Sequence, residues 1–260
     1  MAIKKNFTEA DAALLAVMSA EYHKKFRGWD FSCFRNKIKE ERLSWNYKRK
    51  VLPLLKTADS LLDMGTGGGE FLADLKRLPR HTYATEGYKP NLLIAKRRLD
   101  PLGVKVLFFK SDRSLPFKDE EFDLIINRHE SYCPAEIFRL LKNKGIFVTQ
   151  QVGGQDNLDL NRALGAKDDF GFSHWDLGYA AKELKRSGFE ILFCREEFPK
   201  ITFHDINALV YYLKAVPWQI EDFSVKKYFV PLKKLHHRIK RERGVSFKSH
   251  RFIIVARKTR

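Results

Sequence analysis

An α/β fold, built on a doubly wound and mostly parallel sheet of seven strands, is predicted by three observations. From residue 60 to residue 194, β-prone apolar runs alternate with helical patterns, as a sheet flanked by helices requires. The run Phe122-Asp123-Leu124-Ile125-Ile126-Asn127 is almost continuously apolar, as a strand covered on both faces must be. A glycine-dense turn, Gly65-Thr66-Gly67-Gly68-Gly69, follows the first apolar run directly and leads into a helical pattern.

Ahead of the sheet, apolar residues recur at helical spacing over 8–27, with Thr8 as N-cap and Gly28 as stop. Residues 29–32 read as a turn. Residues 36–55 read as one or two further helices, interrupted late by Pro53, that carry Trp45 and Tyr47 either into the core or onto a wall of the ligand pocket. The first strand is 60–64, and the helix after the glycine turn runs from Glu70 to Arg77 before Pro79 ends it. A second strand, 81–85, closes at Glu86-Gly87, and Pro90 opens a helix through Leu99. Strands follow at 104–109 and 122–127, the latter central. Pro134 begins a helix through 141, and a fifth strand spans 146–149 after Gly145. A polar turn at 150–154 precedes helices at 157–164 and 177–186; Gly188 closes the second, and 189–194 is a sixth strand. Residues 204–243 are helical in pattern, and 246–256 form the last strand. No repeat or flexible linker interrupts the chain. One domain is expected, with a helical extension (1–58), a core (59–200), a helical insertion (201–245) and a closing strand (246–260).

The 260 residues, 44% of them hydrophobic, suffice for a substantial core. No apolar run of about 18 residues is present, and the first residues lack the apolar centre of a signal peptide, so a cytoplasmic protein without membrane contact is expected. Cys33, Cys133 and Cys194 are odd in number and far apart, which argues for free thiols rather than disulfides or zinc. The histidines have no metal-ligand spacing, so no metal is expected. A net charge of +17 attracts polyanions such as structured RNA, or else forms a solvated basic surface. It is densest in 226–243, with Lys226, Lys227, Lys233, Lys234, Arg238, Lys240, Arg241 and Arg243 opposed by Glu242 alone, and this segment is the candidate contact for nucleic acid.

Glycines at the end of a strand let backbone N–H groups approach a ligand, so a cofactor is expected at 65–69. A dinucleotide fingerprint would place glycine at position 70; Glu70 stands there, and a carboxylate repels a pyrophosphate. The spacing Asp63-x-Gly65-x-Gly67-x-Gly69 resembles the first motif of the class I S-adenosylmethionine-dependent methyltransferases. Glu86, seventeen residues beyond Gly69, is similar to that family's acidic second motif, which accepts hydrogen bonds from ribose hydroxyls. Ser111-Asp112-Arg113 is similar to its adenine contact. The resemblance spans residues 60–152. It implies a Rossmann-like sheet ending in an antiparallel strand pair, S-adenosylmethionine as cofactor, and a cofactor site of Asp63, Gly65, Thr66, Gly67, Gly69, Glu86, Asp112, Arg113 and Asn127. The run Asn127-Arg128-His129-Glu130-Ser131-Tyr132, with Gln150-Gln151-Val152-Gly153-Gly154, resembles an uncharacterised bacterial subgroup of the family.

Methyl transfer needs an aligned nucleophile and sometimes a base. His129, Glu130 and Asn127 are the candidate catalytic residues, with His129 as base or with Arg128, His129 and Glu130 as a polar pocket wall. The Asn-Pro-Pro-Tyr tetrapeptide that the family uses for amino groups is missing at 127–130, which argues against amino methylation, and Cys133 has no second cysteine for a covalent cytosine mechanism. Phe172, His174, Trp175 and Trp218 either cover the pocket and stack on a planar acceptor or pack the added helices. The acceptor is a small molecule or RNA and the protein a monomer or homodimer; the alternative is a non-catalytic RNA-binding or cofactor-binding protein on this fold.

Overall fold

The computed structural model describes residues 7–24, 34, 36–168 and 171–259; the expected turn at 29–32 and Cys33 lie outside them. The chain groups into two compact units. The larger comprises Leu43–Gly154, His174–Glu197 and Arg251–Arg260, and the smaller Met1–Arg42, Gln155–Ser173 and Phe198–His250. The chain therefore changes unit within or beside the segments expected as extension, core and insertion rather than at their ends.

The larger unit holds a seven-stranded sheet, numbered here in chain order: β1 Ser60–Met64, β2 His81–Glu86, β3 Lys105–Phe108, β4 Phe122–Arg128, β5 Leu141–Val152, β6 Phe189–Glu197 and β7 Arg251–Lys258. Their order across the sheet is 3-2-1-4-5-7-6, and β7 alone runs antiparallel to both its neighbours. The alternation of the pleat decides which helices cover which face. Leu61, Ala84, Leu124, Ile126 and Val148 pack with Trp45, Tyr47 and Val51 beside helix Tyr47–Leu55 and with Ala95 and Leu99 of helix Lys89–Leu99. Leu62, Met64, Ile125 and Phe147 face the other way, onto Ile137 and Leu140 of helix Pro134–Leu140 and Ala180 and Leu184 of helix Leu177–Arg186. β1 is buried along its whole length, which its apolar run requires.

Several expected bounds in this unit change: β5 begins at Leu141 rather than 146, and β6 runs on to Glu197 rather than 194. The helix after the glycine turn is one turn, Glu70–Ala73, because Lys48 Nζ takes the Asp74 carbonyl (2.9 Å) and carboxylate (2.6 Å) and ends it there. Gln150, Gln151 and Val152 lie inside β5 rather than in a turn, paired with β7 through Ile253, Phe252 and Arg251.

The smaller unit corrects more. Its antiparallel sheet of Ile38–Glu40, Lys200–Phe203 and Val245–Lys248, with Lys200–Phe203 in the middle, occupies segments that read as helix or as part of one long last strand. Residues 246–256 are two strands in different sheets. The break is held by buried Ser249 and His250, whose N–H groups donate to Pro199 O and Asp156 Oδ1 at 2.8 Å each. Helices Glu9–His23, Leu158–Leu164, Ile206–Ala215 and Phe229–Glu242 pack around Met18, Leu160, Leu209, Leu213, Leu232 and Leu235 against Ile201, Phe203, Val245 and Phe247. Thr8 caps the first helix through a capping box with Asp11. Glu242 is not the only acid among the cations of 226–243. Lys233 pairs with Asp11 (2.6 Å), Lys227 pairs with Asp222, and Arg238 and Arg241 share Glu242 (2.8 and 2.7 Å).

Among the described residues no helix is long and apolar enough to cross a membrane, no cluster of His, Cys, Asp and Glu could hold a metal ion, and Cys133 and Cys194 are free.

Candidate functional site

At the C-terminal end of β1 the chain turns through Gly65, Gly67 and Gly69 with φ of +73°, +63° and +81°, a region that side chains enter only under strain. A Cβ on Gly65 would lie 2.5 Å from Cβ and Cγ of Glu130, so the glycine is also what lets Glu130 lie on the turn. A Cβ on Gly67 would meet nothing within 4 Å, leaving open space there. The turn is tied to the neighbouring strand by Thr66 N–H donating to Thr85 O (2.9 Å), and to itself by Gly69 N–H donating to Thr66 O (3.0 Å). Glu70 folds back over the turn, where a Cβ on Gly68 would meet its carboxylate. Its exposed carboxylate pairs with Arg98, which also reaches Gly68 O, so its charge is compensated more than the sequence suggested.

Carboxylates gather on this side. Asp63 is 5% exposed, and loss of water pushes it up to about 6 against the help of Thr66 and Arg128, with Glu86 raising it further. Glu86 ends β2, buried, with Oε1 accepting from Tyr88 N–H at 2.7 Å. Burial raises it above the ordinary carboxylate range despite hydrogen bonds from the Tyr88, Gly67 and Gly87 backbone and the Asn91 side chain. Glu130 is raised by burial first, and then by the charges of Glu86 and Asp112. Asp112 and Glu130 line a cavity of about 450 Å³, together with Gly87, Phe108, Phe109 and Ser131.

The end of β4 has the opposite character. Asn127 is fully buried; its Oδ1 accepts from Gln151 Nε2 (2.6 Å) and Thr149 Oγ1 (2.9 Å), while its Nδ2 has no partner. Buried polar atoms are rarely left so, and an unpaired donor at a strand end marks a place for a ligand acceptor. Beside it Trp45 Nε1–H donates to Gln150 Oε1 (2.8 Å), which turns Gln150 Nε2 toward His129 Nε2 at 3.4 Å. An amide nitrogen only donates, so His129 Nε2 is the acceptor and Nδ1 carries the proton. His129 has φ of +64°, and its N–H donates to Gln150 O at 2.8 Å. Loss of water first, then the positive charges of Arg251 and Arg128, hold it well below the ordinary imidazole range. The residue keeps exposed surface, so its loss of water is partial and the two guanidinium groups reinforce the direction. Tyr47 O–H donates to Asn127 O at 3.1 Å, and the Arg128 guanidinium lies 5.3 Å from the Phe71 ring centre.

The ends of β1, β2 and β4, which are sheet neighbours, thus carry Asp63, Gly65, Thr66, Gly67, Gly69, Glu86, Asn127, His129 and Glu130, and Asp112 joins them through the cavity. Arg113 is different: it is exposed, does not line that cavity, and bonds through its N–H to Ser111 Oγ (3.2 Å). Trp45 and Tyr47 were expected either in the core or on a pocket wall, whereas Gln150 and Gln151 were not singled out as site residues by the sequence. Two consecutive amides beside an apolar strand were the available signal. Trp175 is packed by Tyr132 (5.9 Å), Tyr179 (6.0 Å) and Phe252 (5.6 Å) within the larger unit, whereas Phe172 and Trp218 belong to the smaller unit and are exposed.

A family model for a methyltransferase domain matches residues 62–149. Protein-L-isoaspartate O-methyltransferase of Dictyoglomus thermophilum is 30% identical over 156 residues, covering 51% of this chain and 70% of the relative. The chain belongs to the class I S-adenosylmethionine-dependent methyltransferases. This methyltransferase is also 34% identical to demethylmenaquinone methyltransferase of Thermus thermophilus over 86 residues, 32% of the chain and 39% of the relative. A solved protein of Bacillus halodurans C-125, assigned as a methyltransferase, shares its fold with a TM-score of 0.58 at 16% identity, covering 82% of this chain and 98% of that one.

Proposed function

We propose that the methyltransferase binds S-adenosylmethionine over the Gly65–Gly69 turn and directs methyl transfer at the end of β4 to a small-molecule or RNA acceptor. The observation that carries the reading is Glu86. A carboxylate kept buried against its own desolvation, beside a turn with open space at Gly67, suits paired ligand hydroxyls such as those of a ribose. The orphaned Asn127 Nδ2 supplies a donor for the amino-acid end or for the acceptor. Asp63, Thr66 and Asp112 complete the contacts, with Arg113 at the rim. When bound, the donor supplies an activated methyl group open to in-line displacement.

The chain's residues then orient the acceptor and hold its proton. Of the two titratable candidates, Glu130 is the better base, because its pKa is moved toward neutrality while that of His129 is moved away from it. His129, neutral and with Nε2 engaged by Gln150, presents Nδ1–H as a donor that positions the acceptor. The names of the two relatives give different acceptors, protein L-isoaspartate and demethylmenaquinone, so they do not choose one for this chain. Tritiated methyl transfer from S-adenosylmethionine into total RNA and into a metabolite extract, run in parallel, tests the reading. Label in either fraction that is lost with Glu86→Gln is the expected result; a bound donor with label in neither contradicts it.

A further inference from the structure

The small antiparallel sheet has one face buried and one exposed. Ile201, Phe203, Val245 and Phe247 point inward, so their alternates Lys200, Thr202, Ser246 and Lys248 stand on the solvent face. The register places Lys200 directly opposite Lys248 and Thr202 opposite Ser246, whose hydroxyls bond at 2.8 Å, with Lys39 beside Thr202 on the third strand. Like charges directly opposite each other destabilise a sheet, yet here two lysines occupy such a pair. Among the described residues neither they nor Lys39 has an acidic partner. The acids at hand are engaged elsewhere: Glu41 Oε2 accepts Lys200 N–H (2.9 Å), Asp159 accepts Lys248 N–H (3.0 Å), and Lys37 pairs with Asp205 (3.4 Å). Arg243, in the left-handed region at the end of helix Phe229–Glu242, adds a cation beside Gly244 and His204. The basic segment 226–243 differs, with four of its eight cations, Lys227, Lys233, Arg238 and Arg241, in ion pairs.

We infer that the exposed face of the sheet Ile38–Glu40, Lys200–Phe203 and Val245–Lys248 docks the phosphate backbone of a nucleic acid. Point charges alternating with hydroxyls, at the roughly 7 Å repeat of alternate strand residues, suit a repeating polyanion better than one small anion. The face carries no aromatic side chain for base stacking and no large apolar side chain to enter a lipid surface, which favours base-independent backbone contact over stacking or membrane binding. The inference stands apart from the methyl-donor reading, since it concerns other residues and another ligand.

Fluorescence titration of the full chain with an oligouridylate, at several salt concentrations, tests it. The variant Lys39→Gln/Lys200→Gln/Lys248→Gln should lower the slope of log affinity against log salt by about 2, as three lost phosphate contacts on a single strand imply. The variant Lys226→Gln/Lys234→Gln/Lys240→Gln removes equal charge from the other basic segment and should change the slope by less. Lys200→Gln alone should raise the thermal midpoint while weakening binding, a pairing that a purely structural lysine would not produce. A larger slope change in the second triple variant overturns the inference. So does binding to phosphatidylserine vesicles or polyglutamate without binding to the oligouridylate.

Discussion

The two sides of the candidate site hold charge in opposite ways. On the β1–β2 side, burial raises Asp63, Glu86 and Glu130 toward protonation, and the carboxylates raise one another. On the β4 side, partial loss of water and two arginines hold His129 neutral. The first arrangement suits a ligand that brings hydroxyl, amino and cationic groups to acids. The second suits a neutral acceptor that must be aligned and not charged. A site where both flanks repelled the same ligand would have no such division of labour, and the boundary between them falls at Asn127 and Glu130.

Substitutions on either side of that boundary should separate the roles. Glu130→Gln should lower kcat by about 10²–10⁴-fold, the usual share of a general base. The parent's pH–rate profile should rise through a raised carboxyl pKa and that limb should vanish in the variant, whereas His129→Ala should lower kcat less than tenfold and leave the limb in place. Equal losses from the two would erase the distinction. Gly65→Ala should cost about 2–4 kcal/mol of stability in denaturant titration, because φ of +73° strains any Cβ and Glu130 occupies its place. The smallest effect sharpens the acidic side. Asp63 rises from 3.8 to about 6 on folding, which destabilises the ionised form by up to about 3 kcal/mol at pH 7. That loss fades as pH falls through 6 toward 3.8. His129 works in the opposite sense, its depressed pKa removing stability as pH falls below the ordinary imidazole value, so the comparison must be variant against parent. Asp63→Asn should melt higher than the parent at pH 7, with the gap narrowing by pH 5.

The core sheet was legible because each of its first five strands is a β-prone run flanked on at least one side by glycine or charge, and Glu86 could be placed at a strand end by Gly87. The small sheet was hidden. Its strands are three or four residues long, two flank long helical patterns, and Val245–Lys248 is separated from β7 by only Ser249 and His250, so the pair reads as one strand. The glycine turn and its acids were visible for the same local reason. The hydrogen-bonded chain from Trp45 through Gln150 to His129 joins residues 105 positions apart, a proximity that exists only once helix Tyr47–Leu55 has docked on the sheet. Without that chain His129 reads either as a base or as part of a polar pocket wall; with it, the proton is placed on Nδ1.

The central claim is that the carboxylate side holds the methyl donor. Isothermal titration calorimetry of the full chain with S-adenosylmethionine tests it most directly, comparing the parent with Glu86→Gln. Binding to the parent, weakened about tenfold or more in the variant, is expected, because the amide keeps one acceptor oxygen and one hydrogen bond to a charged group, about 1.5–3 kcal/mol, is lost. No heat with the parent, or equal affinity in both proteins, would contradict it.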